Sequence, residues 1–169
     1  EKVLVAVGRR PNSRGLGLEA SGVKVDKRGF VEVNERLQSS NPNVYAIGDV
    51  AGPPLLAHKG SKEGLVAAAV IAGKPELMDV RAMPAAIFTS PEIASVGMSE
   101  TEAREAGHEV RVGTFPMAAS GRALAGRETD GMVKLVADAK TDLLLGAHIC
   151  GPSASDLIAE AALAIEAGL

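Results

Sequence analysis

The sequence predicts an α+β protein, and three observations support this fold class. Short runs rich in valine, isoleucine and alanine recur along the chain and are typical of β-strands. After about residue 80, short turns separate neighbouring runs, which favours antiparallel pairing. Two segments, one over residues 60–72 and one from about residue 153, have apolar residues at helical spacing. We therefore predict that the second half is a sheet of about five strands with helices on one face.

Composition narrows the possible functions. The chain has 169 residues and 17.3 kDa, enough for one ordinary domain or two small ones. Hydrophobic residues make up 46% and charged residues 23%, a normal globular balance that argues against disorder. A net charge of −3 and 2% aromatic residues argue against binding to nucleic acid. Because we find neither a membrane-spanning apolar run nor a secretion signal, we expect no membrane role and a cytoplasmic location.

The first half predicts several short elements. Residues 1–8 form an apolar, valine-rich run that is typical of a strand buried on both faces of a parallel sheet. Residues 23–26 and 30–33 alternate apolar and polar side chains, which predicts a hairpin. Residues 44–47 predict a strand, and residues 60–72 predict a helix that Gly73 and Pro75 end. Both chain ends resemble cuts through a larger protein.

The second half predicts strands and two helices. Ser99, followed three residues later by Glu102, predicts a capped short helix that ends near Gly107. The last helix begins near Ser153 and has apolar residues at helical spacing. The turn over residues 138–142 predicts that the last two strands form a hairpin. The predicted strands cover residues 85–89, 93–97, 110–115, 132–137 and 143–149.

Cysteine and histidine spacing gives no sign of a metal site or a redox pair within this chain. Cys150 is the only cysteine, so neither an internal disulfide nor a dithiol pair is possible. His58, His108 and His148 are too widely separated to form a local ligand pair. We expect Cys150 to be a small buried hydrophobe and His148 to be packed or interfacial.

A candidate binding site lies where the strand over residues 44–47 ends. Gly48 would let a ligand approach the backbone closely, and the carboxylate of Asp49 could accept hydrogen bonds from sugar-like hydroxyls. The helix behind it would offer free N–H groups to an electron-rich ligand. A tight turn that merely ends a strand explains the same two residues equally well.

The chain resembles the pyridine nucleotide-disulfide oxidoreductases over nearly its whole length. The first half carries this likeness at residues 5–12 and 44–50, and the second half carries it at residues 88–97 and 146–152. Residues 55–59 and 116–123 are most similar to the family members that oxidise dihydrolipoyl groups. Mercuric and glutathione reductases fit less well at those two places.

The resemblance implies a domain organisation and two cofactors, FAD and NAD. Residues 1–11 would be the last strand of an NAD-binding domain, and residues 12–80 would be the C-terminal part of an FAD-binding domain. Residues 82–169 would form an interface domain, truncated at its C-terminus, that builds a two-fold homodimer. The intact protein would then serve a 2-oxo acid dehydrogenase complex.

The resemblance also implies roles for individual residues. Gly8 would lie at the edge of the NAD site. Gly48 and Asp49 would contact FAD, with Asp49 at the ribityl chain or next to it. The backbone of the stretch Leu55, Leu56, Ala57 and His58 would run along the isoalloxazine ring. Its N–H groups and the helix dipole would favour the reduced flavin.

The chain departs from the family pattern in ways that bear on activity. It has no Gly-x-Gly-x-x-Gly turn for FAD or NAD and no redox cysteine pair, and the His–Glu base would follow Leu169. We therefore predict no catalytic residue, no activity and little or no bound flavin for these residues alone. The alternatives are a dimerising interaction module without catalysis, or part of another disulfide reductase of the mercuric or glutathione type.

Three charged or polar features have simpler interpretations as well. His58 could be only a polar residue before a helix. Arg9 and Arg10 could face a nucleotide phosphate, although a solvated exit from a strand is the commoner arrangement. Arg122 and Arg127 would be surface or interface charges.

Overall fold

The computed structural model describes residues 1–169, which divide into two compact units, Glu1–Asp79 and Val80–Leu169. In the first unit, single antiparallel bridges join Val25 to Val31, Val33 to Ser39 and Gln38 to Tyr45. The first bridge confirms the predicted hairpin. The carboxylate of Asp26 closes its turn by accepting the N–H groups of Arg28 and Phe30, both at 2.8 Å.

Two predicted strands of the first unit are absent. Residues 1–10 form no strand, and Val7 is 94% exposed. A strand is held by hydrogen bonds to a neighbour, and no residue of this chain pairs with that run. The prediction over residues 44–47 was also wrong, because only Tyr45 forms a bridge and Gly48–Ala51 is a turn of 3-10 helix.

Helix α1 spans Ala57–Ile71 and begins three residues earlier than predicted. Its Val66 and Ala67 pack with Leu37 in a small buried cluster, joined by half-buried apolar side chains from Val33, Tyr45, Val70 and Met78. Leu65 of the same helix lies outside this cluster and is 70% exposed. The helix ends where Gly73 adopts φ +81 and donates to the carbonyl of Val70.

The second unit contains one five-stranded antiparallel sheet in the order β1-β2-β5-β4-β3, which confirms the predicted α+β class. The final two strands form the predicted hairpin. The strands are β1 (Ala85–Ile87), β2 (Glu92–Gly97), β3 (Val110–Pro116), β4 (Met132–Asp138) and β5 (Leu144–Gly151).

A row of apolar residues crosses all five strands on one face of the sheet. The strand register aligns Ala86, Ala94, Ile149, Val133 and Phe115. The long helix α4, Ala154–Ala167, packs against β5, β2 and β1. Its buried Ala154 and Ile158 join the main core of the unit, which includes Ala94, Val96, Ala147 and Ile149.

Two short helices complete the unit. Helix α2, Glu100–Glu105, has the predicted capping box, because Ser99 Oγ accepts the N–H of Glu102 and Glu102 Oε2 accepts the N–H of Ser99. It lies beside β3, and Glu100 reaches Lys134 of β4 at 2.8 Å. By strand alternation, Lys134 points to the face opposite Val133. Helix α3, Gly121–Gly126, was not predicted, because six residues with glycine at each end give almost no periodic signal.

Candidate functional site

The predicted cofactor-binding residues occupy two neighbouring segments of the first unit. Gly48 and Asp49 open the 3-10 turn Gly48–Ala51, and Leu55 to His58 lead into helix α1. Leu55 and Leu56 are half-buried, whereas Ala57 and His58 are exposed. The structure thus places six of the seven residues around the start of one helix, with part of that backbone open to solvent.

Glycines allow the 3-10 turn to lie directly on helix α1. A methyl group on Gly60 would come within 3.2 Å of the Cα atom of Gly48, tighter than most side-chain contacts. Gly48 itself has φ +72, a left-handed conformation that favours glycine. One turn further along the helix, a methyl group on Gly64 would lie 3.4 Å from Ile47. The stretch from Ile47 to Asp49 is therefore fixed against the first two turns of α1.

A buried ion pair on helix α1 ties the same turn to the helix. Lys59 Nζ lies 2.7 Å from Glu63 Oε1, and both side chains are almost fully buried. Lys59 also donates to the carbonyl oxygens of Gly48 at 3.3 Å and Gly52 at 3.0 Å. Glu63 accepts the N–H of Gly48 at 2.6 Å. Sequence reasoning missed this network, although an i,i+4 Lys–Glu pair beside the predicted site was a usable signal.

Arg9, which follows the predicted NAD-site residue Gly8, contacts the 3-10 turn Gly48–Ala51. Gly8 is exposed, and the next residue, Arg9, forms an ion pair with Asp49 at 3.0 Å. The other Arg9 nitrogen donates to the carbonyl oxygen of Leu55. Arg9 therefore joins Asp49 to Leu55, although its side chain remains 63% exposed, as expected for a solvated exit. No local motif could have predicted a contact between residues 40 positions apart in sequence.

The start of helix α1 is suited to an electron-rich ligand. Leu56 occupies the N-cap position in an extended conformation, and no side chain caps the helix there. The first turn contains no acidic residue that would neutralise the positive end of the helix dipole. The backbone N–H groups at the start of α1 could donate hydrogen bonds to a ligand, and the carboxylate of Asp49 could accept them.

The other singled-out residues lie in the second unit and form ordinary contacts. A ring nitrogen of His148 lies 3.2 Å from the carbonyl oxygen of Met98. Cys150 lies on β5 and is half-buried, whereas we predicted that it would be buried. Arg127 adopts a left-handed conformation where it ends α3. Among residues 1–169, no group of three or more histidine, cysteine or acidic side chains could hold a metal ion.

One titratable contact was missed by the sequence analysis. His108 Nδ1 lies 2.7 Å from Asp138 Oδ2 at the end of β4. The N–H groups of Lys140 and Thr141 donate to the other oxygen of that carboxylate. The hydrogen bond from His108, followed by the bond from Lys140, lowers the pKa of Asp138 from 3.8 to about 2. This contact fastens the loop after α2 to the β4–β5 turn.

Comparison with protein-family models identifies the class. Residues 83–169 match the dimerisation domain of the pyridine nucleotide-disulphide oxidoreductases, and residues 1–64 match the pyridine nucleotide-disulphide oxidoreductase model itself. The chain therefore belongs to the pyridine nucleotide-disulphide oxidoreductase family. None of its helices is long and apolar enough to cross a membrane.

Two similar curated proteins carry the same name, dihydrolipoyl dehydrogenase. The chain is 60% identical over 168 residues to dihydrolipoyl dehydrogenase of Thermus scotoductus, covering 99% of this chain and 36% of that protein. It is 53% identical over 167 residues to dihydrolipoyl dehydrogenase of Geobacillus stearothermophilus, covering 99% of this chain and 36% of that protein. The chain thus spans about a third of the length of these relatives.

Solved structures agree with the family. A copper complex of the HOCl-induced flavoprotein disulfide reductase RclA from Escherichia coli matches with a TM-score of 0.90 and 32% identity. That match covers 97% of this chain and 38% of the RclA chain. LpdA from Mycobacterium tuberculosis matches with a TM-score of 0.86 and 28% identity, over 95% of this chain and 35% of that one.

Proposed function

We propose that these residues are part of a dihydrolipoyl dehydrogenase, which oxidises dihydrolipoyl groups to the disulfide and reduces NAD, using FAD. The observation that carries the proposal is the 60% identity to the Thermus scotoductus dihydrolipoyl dehydrogenase over 99% of the chain. Since that identity extends over both units, it supports a common activity more strongly than a shared dimerisation domain would.

The proposed domain organisation follows the earlier boundaries. In the intact protein, residues 1–11, which form no strand within this chain, would supply the last strand of the NAD-binding domain. Residues 12–80 would supply the C-terminal part of the FAD-binding domain. Residues 82–169 form the interface domain of a homodimer. The separate family matches over 1–64 and 83–169 support the boundary near residue 80, as does the separation of two compact units after Asp79. The match over 1–64 runs across the proposed boundary after residue 11, so that boundary stays a prediction.

FAD would be held by the turn and helix start described above. The Asp49 carboxylate would accept hydrogen bonds from ribityl hydroxyls, and the close Gly48–Gly60 packing keeps that turn free of side-chain bulk. When bound, FAD supplies a two-electron acceptor. The uncapped start of α1 and the backbone from Leu55 to His58 would stabilise negative charge on the reduced ring. Gly8 would border the NAD site.

The 169 residues by themselves would be inactive. Exchange with a dihydrolipoyl dithiol needs a second protein cysteine, and Cys150 is the only one here. We expect the isolated chain to show no NADH-dependent diaphorase activity and little or no flavin absorbance near ~450 nm, because a flavin reacts only where the protein holds it. The proposal further includes a 2-oxo acid dehydrogenase complex as partner and the cytoplasm as location.

A second candidate function is that of a dimerising module without catalysis. The match of residues 83–169 to a dimerisation domain favours it, as do the exposed apolar side chains of Ile93 and Met132, which lie in one row on one face of the sheet. Light scattering on the purified chain tests this candidate. A dimer supports it, and a monomer at high protein concentration contradicts it.

A substrate panel tests the main proposal. The full-length protein encoded by the source gene is assayed with dihydrolipoamide and NAD, and separately with glutathione disulfide or mercuric ion and a reduced pyridine nucleotide. We expect turnover of dihydrolipoamide and at least a hundredfold lower kcat/KM with the other two. Turnover of glutathione disulfide or mercuric ion alone would assign the chain to another disulfide reductase.

A further inference from the structure

The buried pair of Lys59 and Glu63 does more than join two turns of helix α1. Their side chains are only 8% and 6% exposed, and burying two charges is costly unless every polar atom is satisfied. All three donors of the Lys59 ammonium have acceptors: Glu63 Oε1 at 2.7 Å, the Gly52 carbonyl at 3.0 Å and the Gly48 carbonyl at 3.3 Å. Two of these acceptors belong to the backbone of the turn that contains Asp49.

Glu63 also binds the backbone of Gly48. Its second oxygen accepts the Gly48 N–H at 2.6 Å, while Lys59 holds the carbonyl of the same residue. Gly60 packs against the Cα atom of Gly48 from the helix. Because both backbone polar groups of Gly48 are bonded, the direction in which the chain leaves it toward Asp49 is fixed.

We infer that Lys59 and Glu63 are positioning residues for the flavin site: they hold the turn Gly48–Gly52, and with it Asp49, in place over the start of helix α1. This inference rests on the proposed function, in which Asp49 and the helix start contact FAD. A buried ion pair adds little net stability compared with an apolar pair of the same size. Its directional bonds to Gly48 and Gly52 are what an apolar pair could not supply.

The test measures FAD binding by the full-length holoprotein. In the double variant Lys59→Met/Glu63→Gln both side chains are neutral, so no unpaired charge is buried. We expect the FAD dissociation constant to rise about tenfold to a hundredfold, the range found when partners that orient metal-binding side chains are removed. The visible circular dichroism of the bound flavin should change as well, because the turn no longer holds one geometry.

The matched control is Val66→Ala, which removes buried volume from the same helix without touching the turn. It should lower the unfolding midpoint but leave the FAD dissociation constant and the flavin spectrum unchanged. If that double variant does not fold, Lys59→Gln/Glu63→Gln, which also buries no unpaired charge, is measured in the same way.

Three results would overturn the inference, and they are distinguishable. A wild type that binds FAD, with variants of unchanged affinity and spectrum, overturns the positioning role alone. Loss of affinity in Val66→Ala equal to that in the variants does the same, because it shows a general effect of stability. A full-length wild type that binds no FAD overturns the proposed function and this inference with it.

Discussion

Single residues define both the predicted site and the contacts that support it. Asp49 was predicted from its place after a glycine, but its partner Arg9 lies 40 positions away in sequence. The His108–Asp138 contact likewise joins residues 30 positions apart. Contacts of this kind depend on how the chain folds back, so no local pattern predicts them. The Lys59–Glu63 pair is different, since i,i+4 spacing places both side chains on one face of a helix.

The Asp138 carboxylate predicts a specific pH dependence of stability. Its pKa is lowered from 3.8 to about 2, mainly by the hydrogen bond from His108, so its contribution to stability is complete above about pH 5. That contribution is lost as pH falls toward 2, because the unfolded state takes up the proton first. In urea unfolding of the 169-residue chain, Asp138→Asn should be less stable than wild type at pH 5, with the difference shrinking toward pH 2.

Asp142→Asn is the control for this prediction, because Asp142 is exposed and pairs with Arg111 at the surface. Its urea midpoint should follow the wild type across the same pH range. A gap between wild type and Asp138→Asn that stays constant from pH 5 to pH 2 would contradict the assigned role of Asp138.

At the scale of elements, periodic patterns predicted the longer structures well. All five strands of the second unit, α4 and the capping box of α2 were predicted close to their observed bounds. The failures share a physical cause. Residues 1–8 have a strand pattern but no hydrogen-bonding partner in this chain, and α3 is too short to show a period. A pattern predicts which face is apolar, but it does not supply the neighbour that a strand needs.

Close packing between β5 and the segment after β2 predicts a strong effect of one methyl group. A methyl group on Gly146 would overlap with the carbonyl oxygen of Met98. We expect Gly146→Ala to lower the free energy of unfolding by about 1–3 kcal/mol, the usual cost of overpacking. Urea denaturation followed by circular dichroism measures this change.

Gly113→Ala in β3 is the matched control. A methyl group there meets no atom within 4 Å, so replacement of a strand glycine should be neutral or stabilising by up to ~1 kcal/mol. Equal losses of stability in the two variants would show that the packing at Gly146 is not tight.

At the scale of the whole molecule, the two units differ in how their backbones are held. The second unit has a continuous five-stranded sheet and a core of eight buried residues. The first unit has isolated bridges and a buried cluster of three residues around Leu37. Local stability generally follows buried apolar contacts and protected hydrogen bonds, so the units should open with different free energies.

Hydrogen exchange of the isolated chain measures this difference. Amides of β2, β4 and β5 should exchange at least about tenfold more slowly than those of residues 23–45, because they exchange only when the whole second unit unfolds. The amides of residues 1–10 should exchange fastest, since they lack partners and are exposed. Slower exchange in residues 23–45 than in the sheet would contradict the account of where stability lies.

Titration of the full-length apoprotein with FAD tests the central claim most directly, namely that the turn with Asp49 binds the flavin. Asp49→Asn should raise the FAD dissociation constant about tenfold to a hundredfold, because one charge-assisted hydrogen bond contributes roughly 1.5–3 kcal/mol and about 1.4 kcal/mol is tenfold. Asp142→Asn, in the second unit, should leave the dissociation constant unchanged. Equal FAD affinity of wild type and Asp49→Asn would contradict the claim.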